Sequence, residues 1–485
     1  MELNKLTLAE AFVGLRNKKF TSQELTKACF DQIKKYDSKI KAYITLNEDE
    51  AMAQAKTADD LIANGGELPP LLGIPVAIKD IFCTKGLRST AASKMLANYI
   101  PPFDATVVKK IREQGGVILG KVNMDEFAMG GSTENSGFFL TANPWDYSRV
   151  PGGSSGGSAA AVTADMAIYS LGTDTGGSIR QPAAFCGTSG IKVTYGRVSR
   201  YGAMAMTSSL DTIGPFGKTV EDIAIIMQQL AGHDDLDSTT PNIEVDDYCE
   251  EIKKDLRGLK VGLPKEYFIE GMDLAVRENV LAVAKKLEDL GAELIDVSLP
   301  HTDLAVAAYY VICPSEVSSN MARYDGIRYG LSEREGDLND IYLNSREKGF
   351  GAEVKRRIMI GTYALSSGYY DAYYKQAMKI RTLVKEDFDK AFEEVDVILT
   401  PTTPTTAFKI GENANDPLKM YLGDIFTIPA SLAGVAGLAI PSGFVDGLPV
   451  GVQILGKCFD EKTVLRAGHQ FQLVTDYHKQ KPNLK

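Results

Sequence analysis

Pro151-Gly152-Gly153-Ser154-Ser155-Gly156-Gly157-Ser158 opens a segment that runs on to Gly172-Thr173-Asp174-Thr175-Gly176-Gly177-Ser178-Ile179-Arg180. Between these two Gly/Ser loops the text reads as a helix at about 155–164 and then a strand over Ala167–Leu171. Upstream, the short apolar run from Leu71 to Ile78 is bounded by Pro and Gly and reads as a buried strand with Lys79 at its C-terminal end. Strand, helix, strand and Gly-rich turn in this order predict an open α/β sheet whose site lies at the strand ends.

The pattern extends outward. A helix at about 105–114 stops at Gly115-Gly116 and leads into a strand over Val117–Gly120. Helices at 219–231 and 275–290 alternate with strands at 259–263 and 293–298. Strand character returns at Val395–Thr400, Leu438–Gly443 and Val450–Leu455. This alternation predicts an α/β fold with a central mixed, largely parallel sheet covered by helices. Residues 1–70 read as helical. Thr7 with Glu10, and Thr21 with Glu24, match the capping box, and a third helix at about 49–64 stops at Gly65-Gly66. A tract from about 303 to 393 is helix-rich and dense in tyrosine (Tyr363, Tyr369, Tyr370, Tyr373, Tyr374). Strands lie on both sides of it, so the expectation is a single domain over 1–485, with a core at about 71–230 and the helical tract as an insertion.

Composition bounds the function. The chain has 485 residues, 44% hydrophobic and 24% charged, and a net charge of −10. It lacks the basic balance of a free-standing nucleic-acid binder, so any nucleic acid is expected on another subunit. The six cysteines (Cys29, Cys83, Cys186, Cys249, Cys313 and Cys458) form no C-x-x-C pair and read as reduced thiols. Only four histidines occur, which argues against a His-rich metal site. The N-terminus has no apolar signal core, and the apolar run Ile425–Phe444 is broken by Pro429 and Pro441, so it reads as buried core and not as a membrane span. The expected setting is the cytoplasm.

Gly-rich turns let backbone N–H groups point into a cavity, so Thr175 to Ser178 can present successive donors to an oxyanion. Such a donor contributes roughly 3–4 kcal/mol. Ser178 is placed as a nucleophile beside those donors. Ser154 precedes a helix N-terminus, where a hydroxyl can relay a proton. His233, His301, His469 and His478 lie far from both loops in sequence, which leaves Ser-His-Asp as the weaker arrangement. A lysine desolvated enough to be neutral near pH 7 is the stronger candidate base, and Lys79 follows a buried-looking run.

The stretch from Gly152 through Ser158, the stretch Asp174 through Ala183, the continuation through Cys186-Gly187-Thr188 and Gly190 to Ser199, and the lysine motif Gly73-Ile74-Pro75-Val76-Ala77-Ile78-Lys79-Asp80 together resemble the amidase signature family over nearly the whole chain. The resemblance implies a catalytic triad of Ser178 as nucleophile, Ser154 as bridging serine joined by a cis peptide to Gly153, and Lys79 as base. It also implies an oxyanion hole built from the N–H groups of Thr175, Gly176, Gly177 and Ser178. Within the family, Glu353–Ile358, Gly361–Tyr374, Met204–Asp211 and Gly423–Thr427 are similar to the branch that hydrolyses glutamine within tRNA-dependent amidotransferases.

That likeness implies glutamine as substrate. Its α-carboxylate is expected on Arg357 (with Arg356 as the alternative register) and its α-amino group on Asp424, with Tyr309 nearby. It further implies a heterotrimer with a larger B and a small C subunit. Charged tRNA would be held mainly by the partner, ATP and Mg2+ would bind there too, and no cofactor or metal would sit on this chain. The product, Gln-tRNA or Asn-tRNA or both, stays open. Two rivals remain: a free-standing amidase acting on small aliphatic or aryl amides, and a degenerate scaffold.

Overall fold

The computed structural model describes residues 2–269, 271–414 and 416–484. Eleven strands form one sheet: β1 (Tyr43–Leu46), β2 (Pro75–Lys79), β3 (Val117–Val122), β4 (Tyr169–Asp174), β5 (Ser189–Lys192), β6 (Thr212–Gly217), β7 (Lys260–Pro264), β8 (Glu293–Val297), β9 (Val397–Pro401), β10 (Ala436–Val445) and β11 (Leu448–Gly456). Their spatial order is β1-β3-β2-β4-β6-β5-β10-β11-β9-β7-β8. Every residue of β2, β3, β4, β5, β6, β9 and β11 is buried. A strand buried along its whole length has both faces covered, which explains the unbroken apolar runs in the sequence.

The sheet is mixed, but the expectation of a largely parallel one needs correction. Among the described residues only β2–β3, β2–β4, β7–β8 and β7–β9 pair in parallel. The central strands β4, β6, β5, β10, β11 and β9 pair antiparallel with one another, as does β1 with β3. The physical reason lies in the connections. Parallel neighbours need a helical crossover, whereas β10 and β11 are joined by a two-residue turn, Asp446-Gly447, with both residues at positive φ.

The N-terminal helices Leu8–Arg16 and Ser22–Ile40 both begin with the capping box anticipated at Thr7/Glu10 and Thr21/Glu24. The helical reading of 1–70 missed β1, a four-residue strand between Ser22–Ile40 and Glu48–Asn64. The tract from 303 to 393 contains the helices Thr302–Asn320, Leu338–Gly349, Ala352–Ala364 and Tyr374–Glu394. The first of these packs on both of the last two. Among the described residues, no helix is long and apolar enough to cross a membrane.

Two features of this frame position the site. First, β2 and β4 run parallel with Ile78 opposite Leu171, so Lys79, one residue on, and Thr173, two residues on, emerge at the same edge of the sheet. The helix Gly156–Thr163 packs on β4 and starts at the same edge. Second, the helices Thr302–Asn320 and Ala352–Ala364 approach closely because Gly361 has no side chain. A Cβ there would fall 1.8 Å from the Pro314 carbonyl oxygen. Gly361→Ala therefore forces the helices apart. We expect a loss of about 1–3 kcal/mol, typical of overpacking, read as a lower thermal midpoint. An unchanged midpoint would contradict the packing described.

Candidate active site

Lys79 is fully buried, and its Nζ lies 2.8 Å from Ser154 Oγ, 2.7 Å from Ser155 Oγ and 2.8 Å from Thr173 Oγ1. Burial lowers its pKa from 10.5 to about 7, outweighing the carboxylates of Asp125, Asp174 and Asp211, which act in the opposite direction. A neutral amine has two N–H donors and one lone pair. Ser155 spends its own hydrogen on the Thr173 carbonyl at 3.1 Å, so toward Lys79 it can only accept. The hydrogen directed at the lone pair must then come from Ser154 or Thr173.

Ser154 follows Gly153 through a cis peptide bond. The loop around it is tightly fixed. The Gly153 N–H donates to Gln181 Oε1 at 2.8 Å, and the Asp125 N–H donates to the Ser154 carbonyl at 3.3 Å. The Asp125 carboxylate accepts from the N–H groups of Ser132, Thr133 and Asn135. Burial nevertheless pushes its pKa up to about 6. The loop bearing Ser178 is stapled alongside, since Ser155 N–H donates to the Ser178 carbonyl at 3.2 Å. Ser178 keeps 8% of its surface exposed, the most of the three, and its hydroxyl makes no hydrogen bond among the described residues.

The turn Thr175–Ser178 follows β4 directly. Its four N–H groups find no acceptor among the described residues, whereas the next two, of Ile179 and Arg180, both donate to Asp174 Oδ2. Free successive donors of this kind suit a developing oxyanion. Gly177 sits at φ +150, and a Cβ there would lie 2.4 Å from Thr427 Oγ1 and 3.3 Å from Asp424 Oδ1. A Cβ on Gly176 would lie 2.8 Å from the Tyr309 hydroxyl. Both glycines let the turn pass close under the opposite wall.

Behind the turn, Arg180 is fully buried and binds Asp174 through Nε and Nη2, each at 3.0 Å. Burial favours a neutral Asp174, but the guanidinium prevails and holds the carboxyl below the usual carboxylate range. Arg180 Nη1 also donates to the Thr427 carbonyl, and the Thr427 hydroxyl donates to the Gly176 carbonyl at 2.6 Å. One cation thus fixes the turn to the segment that carries Asp424.

Arg357 and Asp424 line one cavity of about 160 Å³ together with Gly131, Tyr310, Glu353 and Tyr421. Arg357 is 4% exposed. Its Nε donates to Glu353 Oε1 at 2.8 Å, its guanidinium lies over the rings of Tyr310 and Tyr421, and its Nη2 has no protein partner among the described residues. Neither oxygen of Asp424 accepts a hydrogen bond from the described residues. The carboxylate opens into the cavity, yet it sits deep enough that burial, aided by the nearby negative charge of Asp174, pushes its pKa up to about 7. An unpaired guanidinium edge and an unpaired carboxylate facing one small cavity suit a zwitterionic amino acid.

All the residues singled out from sequence converge on this edge of the sheet: Lys79, Ser154, the turn Thr175–Ser178, Tyr309, Arg357 and Asp424. Arg356 sits at the cavity rim, half-exposed and ion-paired to Glu353, so the geometry favours Arg357 as the inward-facing arginine. Sequence reading did not assign roles to Ser155, Thr173, Asp125, Gln181, Arg180, Tyr310, Glu353 or Tyr421. Ser155, Thr173, Arg180, Gln181 and Glu353 lie within the quoted motifs. Nothing local in the sequence marks Tyr421 as a neighbour of Arg357. Among the described residues, no group of three or more His, Cys, Asp or Glu side chains is arranged to hold a metal ion.

Acting as a base, a lysine with a pKa near 7 would give a definite pH signature. The neutral fraction of Lys79 falls about tenfold per pH unit below that value, and ionisation of Asp424 falls over the same range. Amide hydrolysis should therefore rise from pH 5 to a plateau above about pH 8, with an acid limb steeper than one proton. Asp424→Asn should reduce that slope toward one proton while the Lys79 limb persists. A flat profile across this range would contradict the assignment of the base.

The profile of the Amidase family matches residues 24–465. The chain is 56% identical to the A subunit of glutamyl-tRNA(Gln) amidotransferase from Desulfatibacillum aliphaticivorans, covering 100% of both chains. It is likewise 56% identical to the protein of the same name from Carboxydothermus hydrogenoformans, again covering 100% of both. Among solved structures, the glutamyl-tRNA(Gln) amidotransferase A subunit from Thermotoga maritima superposes with a TM-score of 0.83 at 44% identity, covering 100% of this chain and 98% of that one. A peptide amidase bound to the competitive inhibitor chymostatin superposes with a TM-score of 0.84 at 29% identity, covering 98% and 99%. With its fold, its lysine and serine loops and these relatives in agreement, the chain belongs to the amidase family.

Proposed function

We propose that this chain is the glutamine-hydrolysing subunit of a tRNA-dependent amidotransferase. The observation that carries this reading is the pairing of an inward Arg357 with an unpaired Asp424 in one cavity beside the Thr175–Ser178 turn. A simple aliphatic or aryl amide has no use for both charges, whereas glutamine presents an α-carboxylate and an α-ammonium group. Full-length likeness to relatives named as the A subunit of glutamyl-tRNA(Gln) amidotransferase supports the same reading.

The proposed chemistry extends the Lys79–Ser154 hydrogen bond by one further link, from Ser154 to Ser178. Neutral Lys79 takes the proton of Ser154 as Ser154 takes that of Ser178. Ser178 Oγ then forms a bond to the side-chain amide carbon of glutamine. The oxygen of the tetrahedral intermediate lies against the N–H groups of Thr175 to Ser178. The proton on Lys79 returns through Ser154 to the amide nitrogen, the C–N bond breaks and ammonia leaves. Water then attacks the glutamyl ester with the same base, releasing glutamate and restoring Ser178. Lysine replaces histidine here because burial alone brings its pKa into the working range.

The ammonia is passed to a partner for amidation of Glu-tRNA(Gln), with Asp-tRNA(Asn) as a second acceptor. In this reading a B subunit holds the tRNA, ATP and Mg2+, a small C subunit completes the assembly, and the setting is the cytoplasm. The acidic balance of this chain, −10, suits a component that leaves tRNA to its partner.

Ser178→Ala, assayed in the assembled complex, should abolish glutamine-dependent amidation while leaving amidation from added ammonium salts intact. Glutaminase activity surviving in that variant would overturn the reading. Loss of both activities would instead place Ser178 in the assembly and not in glutamine hydrolysis.

A further inference from the structure

The helix Ala352–Ala364 carries both Arg357 and its partner Glu353, yet its N-cap residue Gly351 offers no side-chain acceptor to the first turn. The N-cap itself is held by the turn that follows β3. Glu126 Oε2 accepts the Gly351 N–H at 2.8 Å, and the Ser93 hydroxyl donates to Glu126 Oε1. Glu126 is 1% exposed. It lies in the short turn Glu126–Ala128 after β3, where Phe127 and Ala128 adopt φ of 48° and 65°. Non-glycine residues hold such conformations only where the surrounding structure over-determines them.

The residue before it, Asp125, serves the other half of the site through its contacts with Ser154 and the 132–135 loop. One dipeptide therefore ties the proposed relay loop to the proposed substrate helix. The approach is close: a Cβ on Gly351 would fall 2.5 Å from Glu126 Oε2, so a methyl group there would displace the carboxylate. A carboxylate at this end of a helix also meets the positive end of its dipole. Arg357 lies six residues farther on, about 9 Å along the axis, so a shift of the helix start is carried directly to the guanidinium.

We propose that Glu126 is a positioning residue that sets the placement of the helix Ala352–Ala364 and, through it, the reach of Arg357 toward the substrate carboxylate. This rests on the reading of Arg357 as the carboxylate clamp.

The test compares glutamine with 4-aminobutanamide, which is glutamine without its α-carboxylate, as substrates for the assembled complex. Burial pushes the pKa of the Glu126 carboxyl up to about 7. At pH 8, where it is ionised, Glu126→Ala should raise KM for glutamine about tenfold, the effect of one lost charge-assisted hydrogen bond, with kcat within about twofold. Its KM for 4-aminobutanamide should be unchanged. Glu126→Gln keeps an oxygen for the Gly351 N–H and should recover most of the loss. Gly351→Ala displaces the carboxylate without removing it and should reproduce the Glu126→Ala pattern, which keeps the proposal testable if that variant does not fold. An equal loss on both substrates, or an unchanged KM for glutamine, would overturn it. Arg357→Gln is the reference. If Arg357→Gln erases the preference for glutamine and the other variants do not, the role of Glu126 alone fails. If Arg357→Gln itself leaves the preference intact, the clamp reading fails and this inference falls with it.

Discussion

A lysine amine sealed beneath the end of a β-sheet is the constraint around which the site is arranged. Removing an ammonium group from water costs several kcal/mol, and among the described residues Lys79 meets no carboxylate in direct contact that would offset it. Its ionisation therefore shifts toward the neutral form, and a neutral amine must still have its hydrogen bonds satisfied. Three hydroxyls, from Ser154, Ser155 and Thr173, do this. They come from two sources, the helix start after the first Gly/Ser loop and the end of β4, so satisfying one buried nitrogen fixes both loops relative to β2.

From that point the structure divides into a floor and a wall. The floor is the edge of the sheet, where β2 and β4 run parallel and deliver Lys79, Thr173 and the Thr175–Ser178 turn. The wall is helical, built from Thr302–Asn320, Ala352–Ala364 and the segment around Asp424. Two buried polar side chains join them. Arg180 reaches from the turn to Thr427, and Glu126 reaches from the end of β3 to Gly351. The floor holds the groups proposed for bond breaking and the wall those proposed for choosing the substrate. A family with this sheet edge can accept different amides by altering the wall, which fits the likeness of this chain to both a component of an amidotransferase and a peptide amidase.

Signals in the sequence are legible wherever the physics is local. Thr7/Glu10 and Thr21/Glu24 state their helix starts in four residues, and a fully buried strand such as Pro75–Lys79 announces itself as an apolar run. Strand direction is not local. The antiparallel run β4-β6-β5-β10-β11-β9 joins segments more than two hundred residues apart, and no periodicity encodes that pairing. β1 escapes a sequence reading because four residues between two long helices give too short a pattern. The same division holds in the site. Lys79, Ser154 and Ser178 lie in distinctive motifs, whereas Tyr421, Glu353 and Glu126 act through contacts made only after folding.

The central claim, that Ser178 is the acylated nucleophile of a lysine-driven glutaminase, is tested most directly by trapping the intermediate. The assembled complex would be mixed with glutamine, quenched in acid within the first turnovers, digested and mapped by mass spectrometry. The account predicts a glutamyl ester on the peptide containing Ser178, formed in the wild type and missing when Lys79 is replaced by Met. A glutamyl adduct on any other residue, or undiminished formation of the Ser178 ester without Lys79, would contradict it.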